Sequence, residues 1–372
     1  MRTSTTTRQI MKPVESVPDA PENVRDPAAL LHPLRAVPRA GDREDASVAT
    51  APDEEQVIDA DATLDEALET MGRLRTARLW VHDEHGRAGQ ITEADCEEAL
   101  AHERLHLRAL RELGERSDDV ITEISSDDAM GGAGSIGPYL WAGASALRCI
   151  RTAMVVAGSE APRSILDFPC GHGRVLRVLK AAFPEAGLAA GDIDTGAVDF
   201  CARAFDATPI YAREDPQKMQ IDGSYDLIWS GSLLTHLPAH RWADFLTFFE
   251  TLLAPGGLLV LTLHGRHDED ALVTMQLAED QVPGIQSQYD EQGFGYAEYR
   301  FHPRYGIAIA SPAWVAGLIR ARTRLELVNY APESWEPPWP RQDVVACKAS
   351  PPTTSRTPMP PAPAARGRRH RP

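Results

Sequence analysis

Two carboxylates bracket a glycine-containing turn in this chain: Asp167 in Ser164-Ile165-Leu166-Asp167-Phe168-Pro169-Cys170-Gly171-His172-Gly173-Arg174, and Asp192 in Ala190-Gly191-Asp192-Ile193-Asp194. A short apolar run, a glycine turn, a helical pattern and an acidic residue about 20 residues further on place a nucleotide or nucleoside at the carboxyl ends of parallel strands. The turn decides which. A dinucleotide site needs three glycines: one for the turn, one for pyrophosphate approach and one for tight helix packing. Gly171 and Gly173 supply two, but the third slot is Leu176, whose bulk keeps the helix off the sheet. A ligand without a pyrophosphate needs no such approach, and Asp192 is placed to accept hydrogen bonds from ribose hydroxyls. His236 and His264 are the candidates for proton transfer, because a neutral imidazole takes a proton near pH 7.

Positioning these groups requires strands alternating with helices. After Gly173, the residues Val175, Leu179 and Phe183 recur at helical spacing until Pro184 stops them. Leu188 to Gly191 reads as a second strand. Val198, Cys201, Ala202 and Phe205 mark a second helix capped by Asp194 or Thr195. Pro209-Ile210-Tyr211 is a weak third strand and Tyr225-Asp226-Leu227-Ile228-Trp229 a clear fourth. Trp242, Phe245, Leu246, Phe249 and Leu253 line the next helix, and Leu253 to Leu261 runs through a Pro-Gly-Gly turn into a fifth strand. Ser311-Pro312 opens a helix as cap plus first-turn proline. Leu325 to Tyr330 and Asp343 to Cys347 would close the sheet as an antiparallel pair. Such alternation gives an α/β fold, a mostly parallel sheet with helices on both faces.

Residues 160 to 348, with the turn, Asp192 and the fourth strand in this order, resemble the class I S-adenosylmethionine-dependent methyltransferases. The resemblance implies a Rossmann-like seven-stranded sheet in the order 3-2-1-4-5-7-6 across residues 161–348, with S-adenosylmethionine as cofactor. It implies cofactor contacts along the turn at Asp167, Cys170, Gly171, His172 and Gly173, and beyond it at Asp192, Ile193 and Ser230. Asp167 would organise the loop and meet the ligand's amino end, while the Cys170 thiol reads as packing rather than as a nucleophile. Pro169 stands where the family has its first glycine, and proline offers no N–H there. The adenine would meet an acidic side chain after the third strand, either Glu214 or Asp215, although Arg213-Glu214-Asp215-Pro216 reads equally as a solvated turn.

The loop Ser230-Gly231-Ser232-Leu233-Leu234-Thr235-His236-Leu237 would face the reacting methyl group. It lacks the Asn/Asp-Pro-Pro-aromatic motif of amino-methylating DNA enzymes, and Glu336-Pro337-Pro338-Trp339 lies far downstream with the wrong first residue. It also lacks a cysteine nucleophile, a glutamate pair and a metal-ligating aspartate, so no metal is expected. For a hydroxyl acceptor, His236 is the first candidate base and His264 the second; the alternative for His236 is a structural role. The insertion 266–305 carries Tyr289, Phe294, Tyr296, Tyr299 and Phe301, either as an acceptor-binding lid or as a structural flap. Gly293-Phe294-Gly295-Tyr296 reads as a turn. The acceptor would be a small molecule or glycan precursor, methylated at oxygen. The other readings are a catalytically silent cofactor-binding scaffold and an NAD(P)-dependent oxidoreductase.

Composition sets limits on the rest. The 372 residues carry a formal charge of −16, against a nucleic-acid substrate, which needs clustered Lys and Arg. Five cysteines without paired spacing suggest a reducing cytoplasm. No stretch approaches the length of a membrane span, and the N-terminus shows no apolar signal core. Residues 1–60 and 349–372 are polar and proline-containing and read as disordered tails. Residues 61–160 read as a mainly helical cap: helices at Leu64 to Leu74 and Glu93 to Leu113, a short strand at Ala77 to Val81, and a helix with Leu140, Ala144, Leu147, Ile150 and Met154 on one stripe. Tyr139 and Trp141 on that last helix would be packing residues near the ligand. Oligomeric state is not legible.

Overall fold

The computed structural model describes residues 12–13, 57–59, 62–82, 88–128, 136–267 and 269–350. Its strands are β1 (Lys12–Pro13), β2 (Val57–Asp59), β3 (Arg78–His82), β4 (Ala88–Thr92), β5 (Ser164–Asp167), β6 (Gly187–Asp192), β7 (Thr208–Tyr211), β8 (Tyr225–Ser230), β9 (Leu253–Leu263), β10 (Phe294–Tyr299), β11 (His302–Ala310), β12 (Glu326–Trp335) and β13 (Gln342–Lys348). Its α-helices are α1 (Leu64–Leu74), α2 (Glu93–Leu113), α3 (Ile136–Ala157), α4 (Leu176–Ala182), α5 (Thr195–Phe205), α6 (Ala239–Leu252), α7 (Glu269–Thr274), α8 (Val282–Gln292) and α9 (Pro312–Arg322).

The main sheet has seven strands in the order β7-β6-β5-β8-β9-β13-β12. Counted along the chain from β5, this is 3-2-1-4-5-7-6, as expected. The first five strands run parallel, and β13 enters antiparallel to β9 and β12. Its central strands are apolar on both faces, as sheets covered by helices on both sides require. Ile165, Leu227 and Leu258 point into one core with Leu147, Ile150, Leu179 and Phe205 of α3, α4 and α5. Their neighbours Leu166, Ile228 and Leu259 point into a second core with Trp242, Phe249, Val315 and Ile319 of α6 and α9. Parallel strands with this topology leave their carboxyl ends along one edge, where Asp167, Asp192 and Ser230 end β5, β6 and β8.

Residues 61–160 hold the three long helices expected there, with a small sheet beside them that the sequence reading lacked apart from one short strand. This sheet has four strands, β1-β4-β3-β2, and packs on α1 and α2 through Leu64, Met71, Leu79, Val81, Ile91 and Cys96. Lys12–Pro13 and Val57–Asp59 therefore belong to a sheet within the stretch read as a tail, because pairing with β4 and β3 supplies their backbone partners. The rest of that stretch, and residues 351–372, lie outside the described residues. Both helices begin with a capping box, Thr63 with Glu66 and Thr92 with Asp95, which fixes their starts.

Helix α3 is long and apolar enough to cross a membrane by length and composition alone, contrary to the sequence reading. Here it is a core helix, with Leu140, Leu147 and Ile150 packed against the sheet. In the insertion, Gly293 is the left-handed cap that ends α8, and Phe294 starts β10. The expected turn is thus a helix end running into a hairpin, and its aromatics pack inward: Phe294 stacks on Trp314 with ring centroids 4.4 Å apart.

Candidate active site

A cavity of about 490 Å³ opens at the carboxyl ends of β5, β6 and β8. Asp167, Cys170, Gly171, His172, Asp192, Ile193, His236 and His264 all line it, so most of the positions singled out in the sequence converge. Gly173 lies behind the turn. At its positive φ of 75°, any Cβ would overlap the Phe205 ring of α5, so only glycine lets turn and helix meet. Ser230 is buried beneath the cavity rather than lining it, and its Oγ has no partner.

The turn is tied to its neighbours through backbone bonds. The Phe168 N–H donates to the Trp229 carbonyl at 2.9 Å and the Cys170 N–H to the Gly191 carbonyl at 2.9 Å. Asp192 accepts from the Gly171 N–H at 2.8 Å with one oxygen and from the Asp194 N–H at 3.0 Å with the other. Burial nevertheless raises its pKa. Asp167 is buried more completely. It accepts from the Leu176 N–H, but Oδ2 has no hydrogen-bond partner. Burial, and then the Asp192 carboxylate, push its pKa well up.

Two buried carboxylates facing each other, one with an orphaned oxygen, are costly without a donor or a cation. A ligand bringing an ammonium and ribose hydroxyls supplies both. Gly171, at φ 46°, has no heavy atom within 4 Å of where a Cβ would stand, so the turn presents open backbone to the cavity. Ile193, 58% exposed, offers an apolar surface on which a base can lie. These residues fit S-adenosylmethionine. They do not favour a dinucleotide, because Leu176 at the third glycine slot is fully buried in the core.

Glu214 and Asp215 do not reach the cavity. Asp215 caps the short turn that follows, accepting from the Gln217 N–H at 3.1 Å and pairing with Lys218 at 3.2 Å. Glu214 pairs with Arg304 at 3.4 Å on the surface. Both serve the solvated turn that was the alternative reading.

The loop after β8 is held rigidly. Ser232 adopts φ 58°, its N–H donating to Thr262 Oγ1 at 2.8 Å, and its own Oγ accepts from Gln342 Nε2 at 2.8 Å. Thr262 donates in turn to Gln342 Oε1 at 2.5 Å. His236 follows, half-buried, its Nδ1 2.8 Å from the Gly306 carbonyl and its ring stacked on Tyr305 at 4.7 Å. A carbonyl only accepts, so Nδ1 carries the proton and Nε2 the lone pair. Burial lowers the pKa of His236 to about 4, keeping the ring neutral. His264 is buried, and burial followed by His267 and His236 drives its pKa well down.

Several cavity residues were not assigned to the site from the sequence, and Tyr299 only as part of the possible lid. Trp335, Pro338 and Trp339 line the wall from the β12–β13 connection, as do Met275, Tyr299 and Tyr305 from the insertion and Asp128 from the N-terminal region. The Glu336-to-Trp339 string therefore reaches the site through topology rather than as a motif. Arg177 was missed altogether. It is fully buried and donates to the carbonyls of Ile121 at 2.6 Å, Glu123 at 2.9 Å and Gly173 at 3.1 Å. It thus ties the segment before α3 to the turn. An arginine between Leu176 and Val178 on a buried helix was the only cue. Tyr139 and Trp141 are packing residues as read, though Tyr139 also donates to the His172 carbonyl at 3.1 Å.

Residues 165–257 match the family model described as a methyltransferase domain. Among curated proteins, the chain is 33% identical over 104 residues to a trans-aconitate 2-methyltransferase of Methylobacterium radiotolerans, covering 28% of this chain and 39% of that protein. It is 30% identical over 105 residues to a malonyl-[acyl-carrier protein] O-methyltransferase of Hahella chejuensis, covering 27% of this chain and 36% of that protein. The chain thus spans well under half the length of these relatives. Among solved structures it resembles the Burkholderia thailandensis 1,6-didemethyltoxoflavin-N1-methyltransferase, with 12% identity, a TM-score of 0.40, and coverage of 56% of this chain and 79% of that one. The match identifies residues 165–257 as a methyltransferase domain, and the order of the seven strands and the carboxylate-flanked turn are similar to those of the class I S-adenosylmethionine-dependent methyltransferases.

Proposed function

We propose that the chain transfers a methyl group to a hydroxyl oxygen of a small-molecule or glycan-precursor acceptor, with His236 as the base. The observation that carries this reading is the neutral, tautomer-fixed imidazole of His236 in the wall of the cavity that Asp167 and Asp192 also line. S-adenosylmethionine, when bound, supplies an activated methyl on a sulfonium. Asp192 would hold the ribose and Asp167 the amino end, with the open backbone at Gly171 alongside. The loop from Ser230 to Leu237 would align the acceptor, and His236 Nε2 would take its proton. Five free and buried cysteines support a reducing compartment such as the cytoplasm.

The test has two parts. Calorimetry with S-adenosylhomocysteine should show binding that Asp192→Ala abolishes. Transfer of labelled methyl from S-adenosylmethionine to a hydroxylated metabolite extract should follow, and should be lost in His236→Ala. No heat with S-adenosylhomocysteine would end the reading. Binding without transfer to any acceptor would favour the silent scaffold.

A further inference from the structure

The walls of the cavity away from the nucleoside end carry a second pattern. Asp127 and Asp128 line the cavity from the N-terminal region, beside Asp167, Asp192 and Asp194 at the nucleoside end, and the cavity holds one arginine, Arg174. That arginine lies 3.4 Å from Asp128 and stacks over the Tyr139 ring at 4.5 Å. The histidines His236 and His264 are held neutral by burial. Among the described lining residues, then, the cationic side chain is already matched, and an acceptor bearing a carboxylate or phosphate would meet mainly negative charge.

What the walls do offer is aromatic surface. Trp335 packs edge-on against Trp229 at 5.5 Å and Trp339 at 5.7 Å, while Tyr305 stacks on His236 and tilts against Tyr299 at 5.9 Å. Flat rings pack well against such surfaces.

Two imidazole lone pairs complete the pattern. Nε2 of His236 is the accepting nitrogen, because Nδ1 serves Gly306. His264 meets the Arg341 carbonyl through one ring nitrogen, and its buried Nδ1 has no partner. A neutral ring bonded to a carbonyl through Nε2–H carries its lone pair on Nδ1. His264 is 3% exposed, lines the same cavity and lies within electrostatic reach of His236. One acceptor nitrogen suits the reacting hydroxyl. The other calls for a second donor.

We propose that the acceptor is an uncharged aromatic compound with two hydroxyl groups, one giving its proton to His236 and the other held by His264. This rests on the methyltransferase reading of the same cavity. In the transfer, the proton of the first hydroxyl passes to His236 Nε2 while its oxygen bonds to the methyl carbon. The carbon–sulfur bonding pair stays on the departing thioether. His264 only positions the ring, through a hydrogen bond that persists throughout.

Binding can be measured apart from turnover, by calorimetry on the full chain saturated with S-adenosylhomocysteine. The probes are catechol, resorcinol, phenol and phthalate. A diol, catechol or resorcinol, is expected to bind about tenfold more tightly than phenol, the worth of one added hydrogen bond to a buried acceptor. Phthalate should not bind. His264→Phe should erase the preference for the diol while leaving phenol binding within about twofold, and His264→Asn, which keeps an accepting oxygen, should retain part of it. Phthalate binding as tightly as the diols, no preference of either diol over phenol, or a preference unchanged in His264→Phe would each overturn the proposal. If His264→Phe does not fold, the wild-type ranking and His264→Asn decide. Saturation with S-adenosylhomocysteine separates the two readings: failure there removes the methyltransferase proposal, whereas failure of the diols alone removes only the acceptor class.

Discussion

His236 and Gly306 lie 70 residues apart, yet the ring Nδ1 donates to that backbone carbonyl at 2.8 Å. The loop after β8 thereby depends on the β10–β11 hairpin of the insertion for the tautomer of its histidine. Gly306 sits so close to Ala297 that a Cβ would collide with the Ala297 carbonyl. The close pairing of the two strands delivers the carbonyl to the imidazole. A lid that only covered the cavity would not need this register; the hairpin orients the imidazole of His236.

The first expected outcome concerns pH. An unperturbed histidine base would lose activity below about 6.5. Burial holds His236 near 4, so methyl transfer should stay level from pH 8 to about 5 before falling. The same shift acts on stability with a definite sign. Between about 4 and 6.5 the unfolded chain binds the proton that folded His236 refuses, so stability rises with pH across that window. The contribution is fully present above 6.5, lost as pH falls toward 4, and amounts to about 3 kcal/mol. His236→Gln should flatten this part of the stability curve and lower kcat by about a hundredfold or more. S-adenosylhomocysteine affinity should be unchanged. A kcat that titrates near 6.5 in the wild type would contradict the geometry.

Asp167 should show a trade between stability and binding. Its carboxylate is buried beside Asp192 with an unpaired oxygen, so ionisation is opposed in the ligand-free protein. Asp167→Asn removes the charge at constant shape and should leave the melting temperature of the free protein unchanged or higher. Affinity for S-adenosylhomocysteine should drop at least about tenfold, the loss of one charge-assisted hydrogen bond. Thermal melts with and without ligand read both effects. A lower melting temperature in the free state together with unchanged affinity would make Asp167 a purely structural group.

What the sequence revealed follows the range of the interactions involved. Helices α1 and α2 were legible to the residue, because Thr63 with Glu66 and Thr92 with Asp95 fix their starts within one turn. The main sheet was legible because each strand of the parallel core is an apolar run bounded by a turn. The N-terminal sheet was not. Its β1 is two residues long and pairs with Gly89 and Gln90, far along the chain, so no local pattern encodes it. The nucleoside half of the site depends on one turn and one strand end, and most of the residues singled out there line one cavity. Trp335, Trp339 and Tyr305 reach the cavity only through long-range topology, and their types are those of ordinary core residues. Glu214 and Asp215 mark the limit of arguing by position: two acidic residues at the right distance from β7 turned out to serve a cap and a surface pair.

Gln342 should act on catalysis through the loop. It bridges Thr262 and Ser232 from β13 at the wall of the cavity. Gln342→Met keeps the volume but leaves the hydroxyls of Ser232 and Thr262 without this partner. The expected cost is about 1–3 kcal/mol in stability and a fall in kcat of about tenfold, with little change in cofactor affinity. Stopped-turnover assays beside equilibrium unfolding separate the two. Equal loss of kcat and of S-adenosylhomocysteine binding would mean that the network supports the whole cavity rather than the loop.

Arg177 offers the sharpest stability test, since its guanidinium is fully buried and spends its donors on backbone carbonyls. Burial lowers its pKa, and the Tyr139 hydroxyl lies 3.5 Å away. Arg177→Met would leave the carbonyls of Ile121 and Glu123 facing an apolar side chain, at a cost of about 3 kcal/mol. Lysine would not rescue it, because a single ammonium cannot span the two segments that the planar fork joins. The damage should also be local. Hydrogen exchange is expected to quicken between residues 120 and 128 and along the turn from 171 to 174, while the core of β8 and β9 stays protected. Cofactor affinity should fall with it, because Asp128 in that segment pairs with Arg174 and borders the cavity. Uniform acceleration of exchange across the sheet would show instead that Arg177 supports the fold as a whole and has no special hold on the site.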